Sequence, residues 1–251
     1  MLKIRNSQMD VFEQAAVRGF ERRTIDHLKE YFPKSCEILG ERRLREIIRL
    51  GWDKAKGYGV TAESGVRLYV SLMFMLGSHF DADPQLPWAA EILADPEVSD
   101  EVERINGLYE RAMAYLEEVA GAKNEHLDAA LQKVRQAKMA SLPEPSSPDF
   151  YRHVLARLAE IFPQKFRHVG ELNARRLIQR GVESAGSYGL TEARGAAIYT
   201  GLMFMLGAGF DKDPQFPWAA TVLNDESVDH KGQKVERLYG EALAYLDRWA
   251  G

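Results

Sequence analysis

YVSLMFMLGSHFDADPQLPWAAEIL, residues 69–93, returns at residues 199–223 as YTGLMFMLGAGFDKDPQFPWAATVL. The offset of 130 holds without a gap from Phe20/Phe150 to Gly121/Gly251, and about 43 of those 102 aligned positions are identical. Helical propensity alone does not produce identity at that level, so the chain reads as a duplication. The period is too long for a solenoid, whose repeats run roughly 20–50 residues. Each copy is long enough to enclose a core of its own. Between the copies, SLPEPSSPD at 141–149 holds three prolines and three serines and reads as a linker.

No strand alternation stands out, and almost every segment repeats at 3.6 residues. A first helix over Gln8–Tyr31 stops before Phe32-Pro33, because proline disfavours helix at the preceding residue. A second covers Glu41–Lys56. It ends at Tyr58-Gly59-Val60-Thr61, where Gly59 suits the left-handed C′ position and Thr61 can cap the next helix. A third, Ala62–Leu76, is apolar nearly all round in its second half and is expected at the centre. A short helix from Pro87 and a last one from Asp100 complete a copy. Leu127, Leu131 and Val134 keep helical spacing, so the last helix of the first copy is expected to run on to about Met139. The expected architecture is all-α. Two homologous domains of about five helices each occupy 1–140 and 149–251, with a Pro/Ser linker over 141–148.

Composition bounds the function. With 33 Lys and Arg against 37 Asp and Glu, the chain has no overall basic excess, which disfavours nucleic-acid binding. The most apolar stretch, Leu68–Leu76, is about half of a membrane span. The start, MLKIRNSQMDVF, lacks the apolar core of a secretory signal. Cys36 is the single cysteine and cannot form an internal disulfide. These features together point to a cytoplasmic protein with no membrane association.

The repeated FDADPQLPW (80–88) and FDKDPQFPW (210–218) is the best-defined motif. Two carboxylates two residues apart could ligate a hard cation, yet the remaining oxygen ligands of a calcium loop are missing. The competing reading is a loop whose Asp side chains accept backbone N–H groups, with Trp88 as a core anchor. None of the six histidines falls at the same position in both copies, and His27 matches Arg157. No Walker A, GxSxG or GxGxxG is present. No catalytic residue, metal site or cofactor is therefore expected, and the protein is expected not to be an enzyme.

Charge is more informative. Residues 1–121 carry 16 basic and 21 acidic side chains, whereas residues 122–251 carry 17 and 16. The acid gathers between Glu91 and Glu118, where only Arg104 and Arg111 oppose it. A solvated helix face would look the same. The sharper reading is a docking surface for a basic protein partner, built on Glu97, Asp100, Glu101, Glu103 and Glu110.

MLKIRNSQMDVFEQAA at the start, FPKSC at 32–36 and LMFMLGSHFDADPQLPWAAEIL at 72–93 resemble a group of uncharacterised bacterial proteins. These are encoded beside type VI secretion effector genes, especially those with PAAR or Rhs-type parts. The resemblance covers most of the first copy and, more weakly, the second. It implies a cytosolic immunity (antitoxin) protein that binds and neutralises a secreted effector, or an adaptor or chaperone that escorts one. It transfers no site residue. The tandem arrangement departs from the single module usual in that group. An enzyme using the repeated DxDP loop for a metal or small ligand is the competing class.

Overall fold

The structure, a computed structural model, describes residues 6–137, 142–227 and 231–250. Among them the chain is all-α, with twelve α-helices and two short 3-10 turns. The helices are α1 (Asn6–Tyr31), α2 (Pro33–Gly57), α3 (Glu63–Leu76), α4 (Pro87–Leu93), α5 (Glu101–Ala120) and α6 (Glu125–Gln136). They continue as α7 (Pro148–Ile161), α8 (Pro163–Val169), α9 (Glu171–Ser187), α10 (Ala193–Leu206), α11 (Pro217–Leu223) and α12 (Lys231–Ala250). With the offset of 130, α3, α4 and α5 coincide with α10, α11 and α12, and the 3-10 turn Phe80–Ala82 coincides with Phe210–Lys212. None of the helices among the described residues is long and apolar enough to cross a membrane.

Burial follows the same offset. One apolar cluster gathers Leu28, Ile48, Tyr69, Met73, Phe80 and Trp88, and another gathers Leu158, Ile178, Tyr199, Met203, Phe210 and Trp218. In each, the tyrosine of the central helix meets the phenylalanine of the DxDP loop with ring centroids 5.0 Å apart. The central helices α3 and α10 lie close against α2 and α9 because glycine stands at both crossings. A Cβ built on Gly51 would lie 2.6 Å from Val70 Cγ2, and one on Gly181 would lie 2.3 Å from Thr200 Oγ1. Gly181→Ala is therefore expected to lower unfolding free energy by about 1–3 kcal/mol through overpacking, despite its better helix propensity. Gly186→Ala in the same helix meets nothing within 4 Å and should be neutral or slightly stabilising. Chemical denaturation of the two variants measures the contrast.

Three local expectations are corrected. The second helix begins at Pro33 rather than Glu41, and breaks in direction at Gly40, where φ is +70°. Proline at the first helical position needs no N–H partner and starts a short turn, which the second copy separates as α8 before Gly170 at φ +76°. Thr61 does not supply the cap of α3, whose N-cap residue is Ala62 with no side-chain cap. The backbone N–H groups of Thr61 and Ala62 instead donate to Glu101 Oε2 and Oε1 at 2.5 and 3.2 Å. Finally, the last helix of the first copy does not run on to Met139, which lies outside the described residues. It stops at Ala120, because Gly121 turns at φ +89° and Asn124 at φ +60°. The new helix α6 then buries Ala130 in the second apolar cluster, with Val134 packed against it.

Candidate partner surface and the seam between the copies

The DxDPQ loops meet each other. Asp83 Oδ1 accepts the N–H of Gln85 in its own loop, at 2.8 Å, and its Oδ2 accepts the N–H of Ala208 in the other copy, also at 2.8 Å. Asp213 reverses the arrangement, with Oδ1 accepting from Gln215 N at 2.8 Å and Oδ2 from Ser78 N at 2.7 Å. The glutamines cross as well. Gln85 Nε2 donates to Met203 O at 2.9 Å, and Gln215 Nε2 donates to Met73 O at 2.8 Å. The two bonds to the Oδ2 atoms and the two from the glutamines join one copy to the other reciprocally, through side chains that are all but buried. Burial pushes the Asp213 carboxyl upward, and the hydrogen bonds from Ser78 and Gln215 pull it back.

Glycine permits the approach. Gly77 and Gly207 end α3 and α10 at φ +95° and +106°. A Cβ on Gly77 would stand 3.0 Å from Leu206 O, and one on Gly207 would stand 3.3 Å from Asp83 Oδ2. The reciprocity is broken where the loops begin. His79 lies over Gly209, where an added Cβ would meet the ring at 2.8 Å, so a second histidine at 209 has no room. Around this centre α8 packs on α5 and α12 on α2. Tyr115 and His168 meet at 4.9 Å, and His168 Nδ1 lies 2.8 Å from Glu118 Oε2.

The other loop carboxylates have local partners. Lys54 Nζ donates to Asp81 Oδ1 at 2.6 Å, and Tyr58 OH donates to Oδ2 at 3.2 Å. In the second copy Ser184 stands where Lys54 stands, and Tyr188 OH donates to Asp211 Oδ2 at 2.8 Å. Burial first and these carboxylates second push the Tyr58 and Tyr188 phenols up to about 12. All four repeated aspartates are thus occupied by protein donors. Among the described residues, no group of three or more His, Cys, Asp and Glu gathers to hold a metal ion.

The acidic run divides into two kinds of residue. Asp100 caps α5 by accepting from Val102 N at 2.7 Å and Glu103 N at 3.2 Å, and Glu101 caps α3 as described. Hydrogen bonds from the Thr61 and Ala62 backbone hold the Glu101 carboxyl below its usual range. Both acids serve the fold. Glu97, Glu103 and Glu110 are exposed, and among the described residues none has a cation within hydrogen-bonding or ion-pair reach. The arginines of the run face elsewhere. Arg104 donates to the carbonyls of Tyr58 and Val98, and Arg111 lies over the Trp88 ring, 5.4 Å from its centroid. Next to Glu103 and Glu110 in α5 stand Val102, 54% exposed, and Tyr109, 39% exposed, while Glu97 lies in the connection before the helix. On α12 the matching positions Gly232, Gln233 and Gly240 are exposed too, and of the matching residues α6 reaches only the tyrosine. There Tyr239, the counterpart of Tyr109, is part-buried and donates to Val134 O at 3.3 Å, while Arg135 pairs with Asp247 at 2.9 Å.

No family model, curated protein or solved structure matches the chain. The site therefore rests on its own geometry. Sequence reasoning found the acid but missed Val102 and Tyr109, because an exposed apolar residue on an amphipathic helix has no local signature. It also missed Lys165, which matches Ser35. Burial lowers the Lys165 amine to about 8, against the pull of Asp83. Cys36 is buried as a free thiol, pushed up by that burial. His27 Nε2 lies 3.2 Å from Ser71 Oγ, a structural pairing whose second-copy positions are Arg157 and Gly201. His230 lies outside the described residues.

Proposed function

We propose that the protein is a non-enzymatic binding protein that docks a basic protein partner on the exposed side of α5. The observation that carries this reading is the pairing of unneutralised Glu97, Glu103 and Glu110 with exposed Val102 and Tyr109, where the second copy has Ser227, Gln233, Gly240, Gly232 and a part-buried Tyr239. Exposed carboxylates steer a basic surface and reject acidic ones, and the apolar pair supplies contact area once the surfaces meet. With the resemblance described above, this supports a cytosolic immunity protein that neutralises a type VI secretion effector. Escort of an effector by the same face is the second reading. A metal- or small-ligand enzyme built on the DxDP loops is disfavoured because Asp81, Asp83, Asp211 and Asp213 already accept from protein donors.

The test is the triple variant Glu97→Lys/Glu103→Lys/Glu110→Lys, with Glu101 left intact because it caps α3. Once a partner is isolated from the native cell, stopped-flow association should slow by about tenfold or more at low salt. The gap should narrow as salt rises, since exposed charges are screened beyond about 8 Å at physiological strength. The matched triple at Ser227, Gln233 and Gly240, changed to lysine, should matter much less. Equal slowing by both triples, or no slowing by the first, would reject the α5 face as the docking surface.

A further inference from the structure

A cavity of about 230 Å³ opens where the two copies meet, with walls drawn from both. Phe74, Tyr115, Phe162 and Tyr245 supply aromatic surface around it. Two polar groups in its lining lack partners of the kind they need. Lys165 donates to Phe204 O and lies 5.2 Å from the Phe204 ring centroid, but among the described residues no carboxylate stands within 4 Å of its ammonium. Gln85 is only 3% exposed, and its Nε2 donates to Met203 O and, at 3.3 Å, to Asp83 Oδ2, yet among the described residues its Oε1 accepts no hydrogen bond. An ammonium with donors to spare calls for an anion. A buried carbonyl oxygen left unpaired calls for an O–H or N–H. The counterpart of Lys165 is Ser35, which lines the same cavity, so the site carries one lysine where strict symmetry would give two.

We propose that this cavity binds a small aromatic hydroxy acid, with the carboxylate on Lys165 and the hydroxyl donating to Gln85 Oε1. Size sets the class. A cavity of about 150 Å³ accepts benzene, so one half as large again accepts about nine or ten non-hydrogen atoms. That is a single ring bearing a carboxylate and a hydroxyl. The lone lysine selects a monoanion, and the aromatic walls select a ring over a flexible chain. Asp83 lies in the same lining, occupied by Ala208 N and Gln85 N, and its charge opposes an anion in the cavity, so the acid depends on its contact with Lys165. Because the walls come from both copies, the ligand would bind only the closed seam and stabilise it. The inference is independent of the docking role of α5.

The experiment uses the full chain with 4-hydroxybenzoate as probe, by calorimetry and thermal shift. At about 0.5 kcal/mol per non-hydrogen atom, one site with Kd on the order of 0.1–1 mM is expected, with a rise in Tm. The neutral 4-hydroxybenzamide should bind at least about tenfold more weakly, since a charge-assisted hydrogen bond is worth roughly 1.5–3 kcal/mol. Benzoate, which leaves Gln85 Oε1 unpaired, should also bind more weakly. Lys165→Met should bring the acid down to the affinity of the amide, whereas Lys212→Met, which does not line the cavity, should leave it unchanged. If Lys165→Met does not fold, the comparison of acid, amide and benzoate on the unaltered chain decides. No heat of binding up to about 10 mM acid, well above the expected Kd, would overturn the proposal. So would equal affinity for acid and amide, or Lys165→Met binding as the unaltered chain does.

Discussion

Asp83→Ala is expected to lower the unfolding free energy by about 2–6 kcal/mol, because it strands two buried backbone donors at roughly 1–3 kcal/mol each. Those donors are Ala208 N, in the other copy, and Gln85 N, in the same loop. Asp213→Ala strands Ser78 N and Gln215 N in the same way. Asparagine should not rescue either position. Each carboxylate uses both oxygens, one for its own loop and one for the opposite copy, and an amide offers one oxygen and one NH₂. Whichever way the amide turns, a donor faces a donor. The two losses should not add, because both aspartates hold one seam and residues in one network couple. Urea denaturation of the two single variants and the double variant measures this. A double variant that loses the full sum would mean two independent loops, and an unmoved midpoint in Asp83→Ala would mean that the seam contributes nothing.

This arrangement shows what the sequence made legible. Periodicity, Gly59 and the motif prolines place α3, α4 and the start of α5 to within a residue or two, because those signals are local, but they miss the end of α5 at Ala120. Of the two readings of the loop aspartates, acceptance of backbone N–H groups holds for Asp83 and Asp213, whereas Asp81 and Asp211 accept from side chains. What no local signal carries is the copy to which the donor belongs. Asp83 and Ala208 are 125 positions apart, and nothing near either residue announces the other. The small residues at Ser78 and Ala208 were the one available hint, since a loop pressed against another backbone has no room for more. The acidic run was legible as charge but not as role. Asp100 and Glu101 share with Glu97, Glu103 and Glu110 a residue type and a neighbourhood, and only the position of the nearest free N–H separates a cap from a docking residue. Helix α6 was recognised as helical and assigned to the wrong neighbour, because spacing tells which face is apolar but not what covers it.

Trp88→Ala should be as damaging as the loss of Asp83, by a different route. Trp88 is 7% exposed at the start of α4, and removing so large a buried side chain costs roughly 3–5 kcal/mol. For a chain near 250 residues that corresponds to a fall in Tm of about 6–20 °C, at roughly 2–4 °C per kcal/mol. Trp218, 9% exposed and placed against Tyr245 at 6.1 Å, should respond similarly. The two differ in what they lean on. Trp88 packs against Tyr115 in a tilted contact at 5.9 Å, Tyr115 meets His168 of the second copy at 4.9 Å, and Arg111 lies over the indole. Among the described residues neither indole N–H has a hydrogen-bond partner, so phenylalanine at either position removes an unpaired donor along with the ring area. Trp→Phe should therefore cost much less than Trp→Ala at both sites. Because Trp88 reaches the seam through Tyr115, Trp88→Ala and Asp83→Ala should couple, with the double variant losing less than the sum. Differential scanning calorimetry of the single and double variants separates the outcomes. A Tm unmoved by Trp88→Ala would remove Trp88 from the core, and strict additivity with Asp83→Ala would sever the line of contacts from the motif tryptophan through Tyr115 to the other copy.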